Sequence, residues 1–473
     1  MEERDRESIH LLSPILTPSE DESEDVVDGT HMKLQRDTPS DGHSIVDNAS
    51  VMSDNDESTG SRKRWLMLLI FSINTMMNAL LFISLSPINH VVSKYYGIEP
   101  YVLEWFPNSY FLVYTFMAIP GAFCMEYFGL RPILLTISGL QSLASCLRLV
   151  GAKQDGFVFV VIGQVFAAFS YCGVLQIPAR LSAVWFPKHE RTLATSIGAS
   201  MNILGVALAF VLSTQIVPET DDLVSLNVSL RNLYIIQMVL CVVGLLFAVT
   251  LFEEQPKRPS KAQEYAVESD AVSFMTSLKN LALNIDFHLL AQGYAIYFGL
   301  FNFFAIILND VIRSRFPYGY TREIGWIGFS FILVSIPSSA IYGMLLDKFR
   351  HFRLAAVFLN FSAFKLMLTF MLVLSYTKSF STIFSICTFY GTVAIPYYAI
   401  GLEQAAVMTH PVPEGISSAV MLALGNLYGF VFVVTLGIGI DNGYIETVGY
   451  VMVGLYAIST FLVAFAKVEV EKK

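Results

Sequence analysis

Apolar residues in this chain gather into long runs of about twenty, too long and too uniform for half-buried strands and each long enough to cross a bilayer as a helix. The runs fall near 65–87, 101–125, 132–151, 157–181, 191–216, 231–251, 284–310, 322–346, 354–374, 380–408, 414–440 and 446–466. They predict an all-α membrane protein of about twelve transmembrane helices. Residues 1–61, rich in Ser, Asp, Glu and Thr and without hydrophobic periodicity, read as a disordered acidic tail. No basic start precedes an apolar core there, so the tail is not a secretory signal. A second polar stretch, 253–283, is expected to be a linker. It leaves one six-helix bundle over 62–252, another over 284–467, and a short tail over 468–473.

Composition sharpens this picture in one respect and removes several function classes. Hydrophobic residues make up 54% and charged residues 15% of the 473, with a mean hydropathy of +0.56, which fits a chain immersed in lipid. The net charge of −9 says little about partners, because the acidic residues crowd the leader before Arg62. No basic patch points to nucleic acid. Cys124, Cys146, Cys172, Cys241 and Cys387 all lie in apolar runs without CxxC spacing or nearby histidines, so neither a disulfide framework nor a metal site is indicated, and no cofactor is called for. No nucleophile, base and stabilising group converge, so an enzyme is not expected.

Charge does set an orientation. Lysines and arginines such as Arg62, Lys63, Arg64, Arg131, Arg180, Arg191, Lys348 and Arg353 fall on one side of the twelve runs, with both termini. Fewer, Lys94, Arg148, Lys153, Arg231, Arg313, Arg315, Arg322 and Lys378, fall on the other. The positive-inside rule makes the first side cytosolic. The sequon Asn227-Val-Ser229 then lies in a lumenal or external loop, as glycosylation requires, while Asn48-Ala-Ser50 is cytosolic.

The two halves read as copies. A shift of 224 residues pairs Asn78 with Asn302, Pro187 with Pro411, Glu190 with Glu414, Asn202 with Asn426 and Gly205 with Gly429. Repeated halves enclosing a midplane site are the pattern of alternating-access transporters of small solutes. At a rise of about 1.5 Å per residue the four asparagines lie roughly 15 to 27 Å into their helices, in the middle of the bilayer. Each serves either as interhelical glue or as a solute contact. Asn78, Asn302 and Asn426, with Phe82, Tyr171 and Tyr297 nearby, are the candidate cavity residues; their aromatic faces suit a planar or cationic solute. Glu403 lies 23 residues past Phe380, roughly 34 Å along its helix and close to the cytosolic edge. With Glu126, Arg131, Arg180, Asp347 and Lys348 it is expected to form a gate latch whose ion pairs close the cytosolic mouth, and a partly desolvated Glu403 is also a candidate for proton coupling. Lys365 reads as a snorkelling surface lysine and His288 as incidental.

The motifs give these halves a family likeness. FGLRP (128–132) and YGMLLDKFRHFR (342–353) resemble the cytosolic loop motif of the major facilitator superfamily. RKRWLMLLIFS, VWFPKHERTLATSIGASMNILG, GWIGF (325–329) and GLEQAAVMTHPVPEGISS resemble solute carrier family 49, the feline leukaemia virus subgroup C receptor relatives. SPIN (86–89), YAI (294–296), GWIGF and PVPEGI are most similar to the lysosomal branch called disrupted in renal carcinoma. The resemblance implies the major facilitator fold and, for that branch, proton-driven export of pyridoxine from the lysosome. In the choline-carrying branch the cage is a tryptophan, a glutamine, a tyrosine and a second glutamine. Those positions fall here on Phe82, Tyr171, Asn302 and Asn426, and none matches, which makes a quaternary ammonium a poor fit. Choline, ethanolamine or haem transport at the plasma membrane, or a non-transporting receptor, are the alternatives. Glu7-Ser-Ile-His-Leu11-Leu12 has the acidic dileucine form that adaptor proteins read on cytosolic tails, which supports a lysosomal address.

Overall fold

The computed structural model of the chain describes residues 43–187, 190–256, 274–316, 319–349, 351–376, 379–410, 412 and 414–467. The chain divides into two units, Met1–Asp56 and Glu57–Lys473. Glu7, Leu11 and Leu12 lie outside the described residues, as do the side chains of Glu126 and Asp347.

The first half begins with α1 (His43–Ile83), a short 3-10 turn at Ser86–Ile88 that admits Pro87, and α2 (Asn89–Tyr96). It continues through α3 (Pro100–Phe128), α4 (Leu130–Val150), α5 (Phe157–Trp185), α6 (Arg191–Ile216) and α7 (Leu223–Leu251). After the connection come α8 (Phe274–Leu283), α9 (Ile285–Arg313), α10 (Thr321–Leu333), α11 (Ser335–Phe349) and α12 (Phe352–Tyr376). The second half ends with α13 (Phe380–Ala394), α14 (Pro396–Thr409), α15 (Glu414–Asp441) and α16 (Ile445–Phe465). Among the described residues, eleven helical segments are long and apolar enough to cross a membrane; α3, 29 residues long, is not among them. It carries Glu104 and Asn108 and, within the helix, Pro107 and Pro120.

Two boundaries and the continuity of two runs differ from what the sequence predicts. Residues 43–61, expected to be unstructured, are helical; extending an existing helix costs far less than nucleating one. Residues 274–283, expected to be linker, form α8, which buries Ser277 and Leu281. The eighth and tenth runs each break near the middle, at Val334 and at Ile395. Pro337 and Pro396 account for both breaks, since each lacks an N–H for the carbonyl four residues earlier and crowds it.

α9 is the core of the second half and is buried along nearly its whole length. The asparagines expected to match between halves make matching bonds. Asn78 of α1 donates from Nδ2 to Ser170 Oγ on α5 at 2.6 Å, and Asn302 of α9 donates to Tyr398 Oη on α14 at 3.1 Å. In both halves the first span is thus tied to the fourth. Asn202 on α6 donates to the Thr75 carbonyl at 3.3 Å, the kind of interhelical bond worth about 0.6 kcal/mol in a bilayer.

Arg148 departs from its sequence reading. The sequence places it among the charges facing the lumen, yet its side chain is 0% exposed inside the first half. Its guanidinium donates to the Leu81 carbonyl at 2.7 Å, to Gln237 Oε1 at 3.3 Å, to Ser84 Oγ at 3.4 Å and to Gln164 Oε1. A buried cation persists where such acceptors replace water. Lys365 stays on the surface with its ammonium 5.0 Å from the Phe361 ring centre, and His288 is exposed with Nε2 2.9 Å from the Ala282 carbonyl.

Candidate functional site

Where the halves face each other, each contributes a group of aromatic rings. In the first half Phe82 of α1 meets Tyr110 and Phe111 of α3 at ring-centre distances of 5.1 and 5.7 Å, and lies parallel to Tyr171 of α5 at 6.4 Å. Tyr171 also meets Tyr110 and Tyr114 at 5.4 and 5.5 Å. In the second half Tyr398 meets Phe298 at 4.4 Å, Tyr294 at 6.0 Å and Phe301 at 6.2 Å. The break before Pro396 starts α14 afresh and sets Tyr397 and Tyr398 at its first turn. The groups adjoin through α15: Leu422 and Ala423 pack, with Tyr171, against the cluster of Tyr114, Ala118 and Cys172, and Gly425 one turn on lies against Phe298.

Asn78 and Asn426 are among the buried amides whose acceptors go unanswered among the described residues. Each is 0% exposed. Their Nδ2 groups are engaged, Asn78 with Ser170 and the Ala167 carbonyl, Asn426 with the Leu422 carbonyl at 2.7 Å. Their Oδ1 atoms are buried without a partner. An unpaired buried acceptor costs about 1–3 kcal/mol, so each marks a place where a donor is wanted.

Of the residues singled out from the sequence, Asn78, Phe82 and Tyr171 therefore fall in one cluster, Asn302 joins Tyr398, and Asn426 lies on α15 four residues from Leu422. Tyr297 does not join them. It is buried inside the second half against Tyr397 at 4.5 Å and Tyr456 at 5.3 Å, and its hydroxyl donates to the Val393 carbonyl at 3.3 Å, beside the break in the tenth span. Its position is that of a brace for the broken helix. Sequence reasoning missed Tyr110, Tyr114, Phe298 and Tyr398. Only Tyr398 had a usable signal, the proline two residues before it.

At one face the halves are latched. Glu219, in the connection between α6 and α7, accepts from Arg313 Nη1 at 2.7 Å and from Thr321 Oγ1 at 2.9 Å, both in the second half. His90 of α2 lies 2.8 Å from the same Arg313 nitrogen and 3.3 Å from Asn309 Nδ2. Partial burial pushes the Glu219 carboxyl up, but the Arg313 and Thr321 hydrogen bonds and the charge of Arg313 outweigh it and hold the group below the usual carboxylate range. A depressed carboxylate stabilises the latched state above its free pKa, and that support is lost only as pH falls through the depressed value. Asp221 beside it is held low by its hydrogen bond from Lys94.

The opposite face carries the expected gate residues. Here Lys63 pairs with Glu253 at 3.0 Å and Arg64 with Glu190 at 2.9 Å, both within the first half. Arg131 donates from Nη2 to the Val249 carbonyl, and its backbone N–H donates to Glu254 at 2.6 Å. Arg353 donates to the Ala464 carbonyl, and Lys348 lies 5.5 Å from the Phe349 ring centre. Glu403 is exposed on α14 and Arg180 half-buried on α5. The sequon expected in a loop sits instead inside α7, where Asn227 Nδ2 donates to Tyr95 Oη at 2.7 Å. Asp222 explains this: its carboxylate caps Val224 and Ser225 and starts the helix before Asn227 is reached. Among the described residues no group of histidines, cysteines and carboxylates is placed to hold a metal.

The Major Facilitator Superfamily profile matches residues 67–434. The human choline/ethanolamine transporter FLVCR2 is 28% identical over 419 residues, 87% of this chain and 79% of that one. A Caenorhabditis elegans uncharacterized MFS-type transporter, C09D4.1, is 29% identical over 419 residues, covering 87% and 70%. Among solved structures, a point variant of the Escherichia coli fucose:proton symporter FucP superposes with a TM-score of 0.59 at 14% identity over 85% of this chain and 98% of that one. A bacterial homologue of the human lysosomal transporter Spinster gives 0.61 at 13% identity over 86% and 96%.

Proposed function

The chain belongs to the Major Facilitator Superfamily and is a membrane transporter rather than an enzyme, and from that premise we propose that it carries a small, uncharged, hydroxylated ring of the pyridoxine class out of the lysosome together with protons. The observation that carries this reading is the pair of buried amide oxygens, Asn78 Oδ1 and Asn426 Oδ1, that have no partner among the described residues, on α1 and α15, the helices that carry or pack against the aromatic groups. Oxygens without donors ask for hydroxyl or N–H groups, and the rings of Phe82, Tyr171 and Tyr398 offer faces to a flat solute. Both termini lie in the cytosol; the burial of Arg148 removes one cation from the lumenal tally and widens the charge asymmetry behind that orientation. The latched face is then lumenal.

A second reading is transport of choline or ethanolamine, favoured by the names of the human and other FLVCR relatives. One assay separates the two. Purified protein in proteoliposomes, offered labelled pyridoxine, choline and ethanolamine with and without a proton gradient, is expected to move pyridoxine and to move it faster with the gradient. Choline flux that outcompetes pyridoxine gives the function to the second reading.

Glu403 closes the cytosolic mouth in the other conformer, pairing with cations at the ends of the facing helices such as Arg180. Glu403→Gln is expected to slow flux about tenfold, corresponding to about 1.4 kcal/mol on a gating step, with near-normal abundance in the membrane. A rate equal to wild type removes the latch. The Glu7 dileucine sequence directs the address: Leu11→Ala with Leu12→Ala is expected to move the protein from lysosomes to the cell surface, seen by microscopy, and unchanged lysosomal location discards it.

A further inference from the structure

At the latched face Ser86, Asn89, Leu103, Glu104, Ile306 and Asp310 surround a narrow gap between the halves, too tight to hold a water molecule. Glu104 comes from α3 in the first half and Asp310 from α9 in the second. Glu104 is 7% exposed, is pressed against Gly437 of α15, and has Asp441 as a further acidic neighbour. Asp310 Oδ1 accepts from Asn309 Nδ2 at 3.4 Å, and Asn89 lines the same gap.

Donors and acceptors do not balance here if both acids are ionised. Asn89 is 5% exposed, and its Oδ1 is buried with no donor; Asn309 Oδ1 is in the same condition. An ionised carboxylate only accepts, whereas a protonated one carries an O–H. The nearest cation, Arg313, has its Nη1 shared among His90, Glu219 and Thr321. Besides His90, which follows Asn89, the further charged groups around the two acids are acidic: Asp441 on α15 acts on Glu104, Glu99 before α3 acts on Asp441, and Glu219 pairs with Arg313. Two carboxylates brought from opposite halves into one dry space repel each other, and closing that space strips their water.

We propose that Glu104 and Asp310 form a proton-binding carboxyl pair that joins the two halves when this face is closed and releases its proton when the face opens. The proton passes between a carboxyl oxygen and water, and no other bond changes. Bound between the acids, it supplies the missing donor and removes the repulsion, so an acidic compartment on this side favours the closed state. The inference deepens the proton-coupled reading above and rests on it for its use in transport. The test does not need solute.

Hydrogen–deuterium exchange of the purified full-length protein, corrected for the intrinsic pH dependence of exchange, reads the closure of this face at the start of α3 and the end of α15. Without any solute, wild-type protection of 100–110 and 434–441 is expected to rise about tenfold per pH unit on acidification, one proton's worth of linkage. In Glu104→Gln and in Asp310→Asn, whose amides supply permanent donors, that pH slope is expected to flatten by about half or more. Wild-type protection independent of pH overturns the proposal, as does a slope that persists in both variants. A response to sodium at fixed pH instead assigns the site to a metal cation and overturns the proton. Gradient-stimulated flux in proteoliposomes is read separately: its absence in wild type with an intact exchange slope removes the coupling and leaves the proton site standing.

Discussion

Gly325→Val is expected to lower solute flux by about a hundredfold while the protein still reaches the membrane. α10 of the second half crosses α6 of the first so closely that a Cβ at Gly325 would overlap Thr214 Oγ1 and lie 3.0 Å from the Phe210 carbonyl. One turn along, a Cβ at Gly328 would press into the Phe210 ring. The GWIGF motif therefore has a physical reading: its two glycines let the halves touch on the latched side. A β-branched residue at the first of them faces a backbone carbonyl that has nowhere to go. Overpacking of this kind costs about 1–3 kcal/mol in ordinary cores, and here the cost falls on one conformer alone. A transporter that must visit both states then loses turnover by up to the corresponding factor, about a hundredfold. Gly454→Val is the control, because a Cβ there meets nothing within 4 Å. Exchange protection at the start of α10 should fall in the first variant and hold in the second. Equal flux in both removes the claim that this crossing has to close.

The fold was legible because its signal is one of length: the apolar runs dictate helices, and their number and charge asymmetry follow from counting. The repeat was legible as well, since Asn78 and Asn302 keep the same partner helix in each half. What escaped the sequence depended on contacts between distant segments. Tyr297 looked like its neighbours in composition, yet lies on the side of α9 turned towards Tyr456. Tyr110, Tyr114 and Phe298 are three among many aromatic residues, and nothing local separates a ring at the interface from one in packing. Glu104, near the start of α3, carries no sequence signal of its burial, which shows only once Gly437 of α15 is found against its carboxyl. Arg148 stands near the end of an apolar run, where a loop charge is the ordinary reading. Its acceptors come from α5, α7, the end of α1 and the segment that follows α1.

The same reasoning separates glue from contact among the asparagines. Asn78→Leu keeps the volume but removes both the donor to Ser170 and the acceptor that has no partner among the described residues. It is expected to reduce pyridoxine flux between about fivefold and a hundredfold, the range of one buried hydrogen bond at about 1–3 kcal/mol. Asn202→Leu removes bonds to Thr75 in α1, so it should lower the unfolding midpoint and leave the apparent solute affinity close to wild type. The decisive measurement is a cycle with a pyridoxine analogue lacking one hydroxyl group. If Asn78 Oδ1 accepts from that hydroxyl, the analogue is carried poorly by wild type, and Asn78→Leu carries both solutes equally poorly, because each change deletes the same bond. Independent losses that multiply in the variant would place the hydroxyl elsewhere and reduce Asn78 to a tie between α1 and α5. Asn426 then becomes the acceptor to test, since its Oδ1 too is buried without a donor among the described residues.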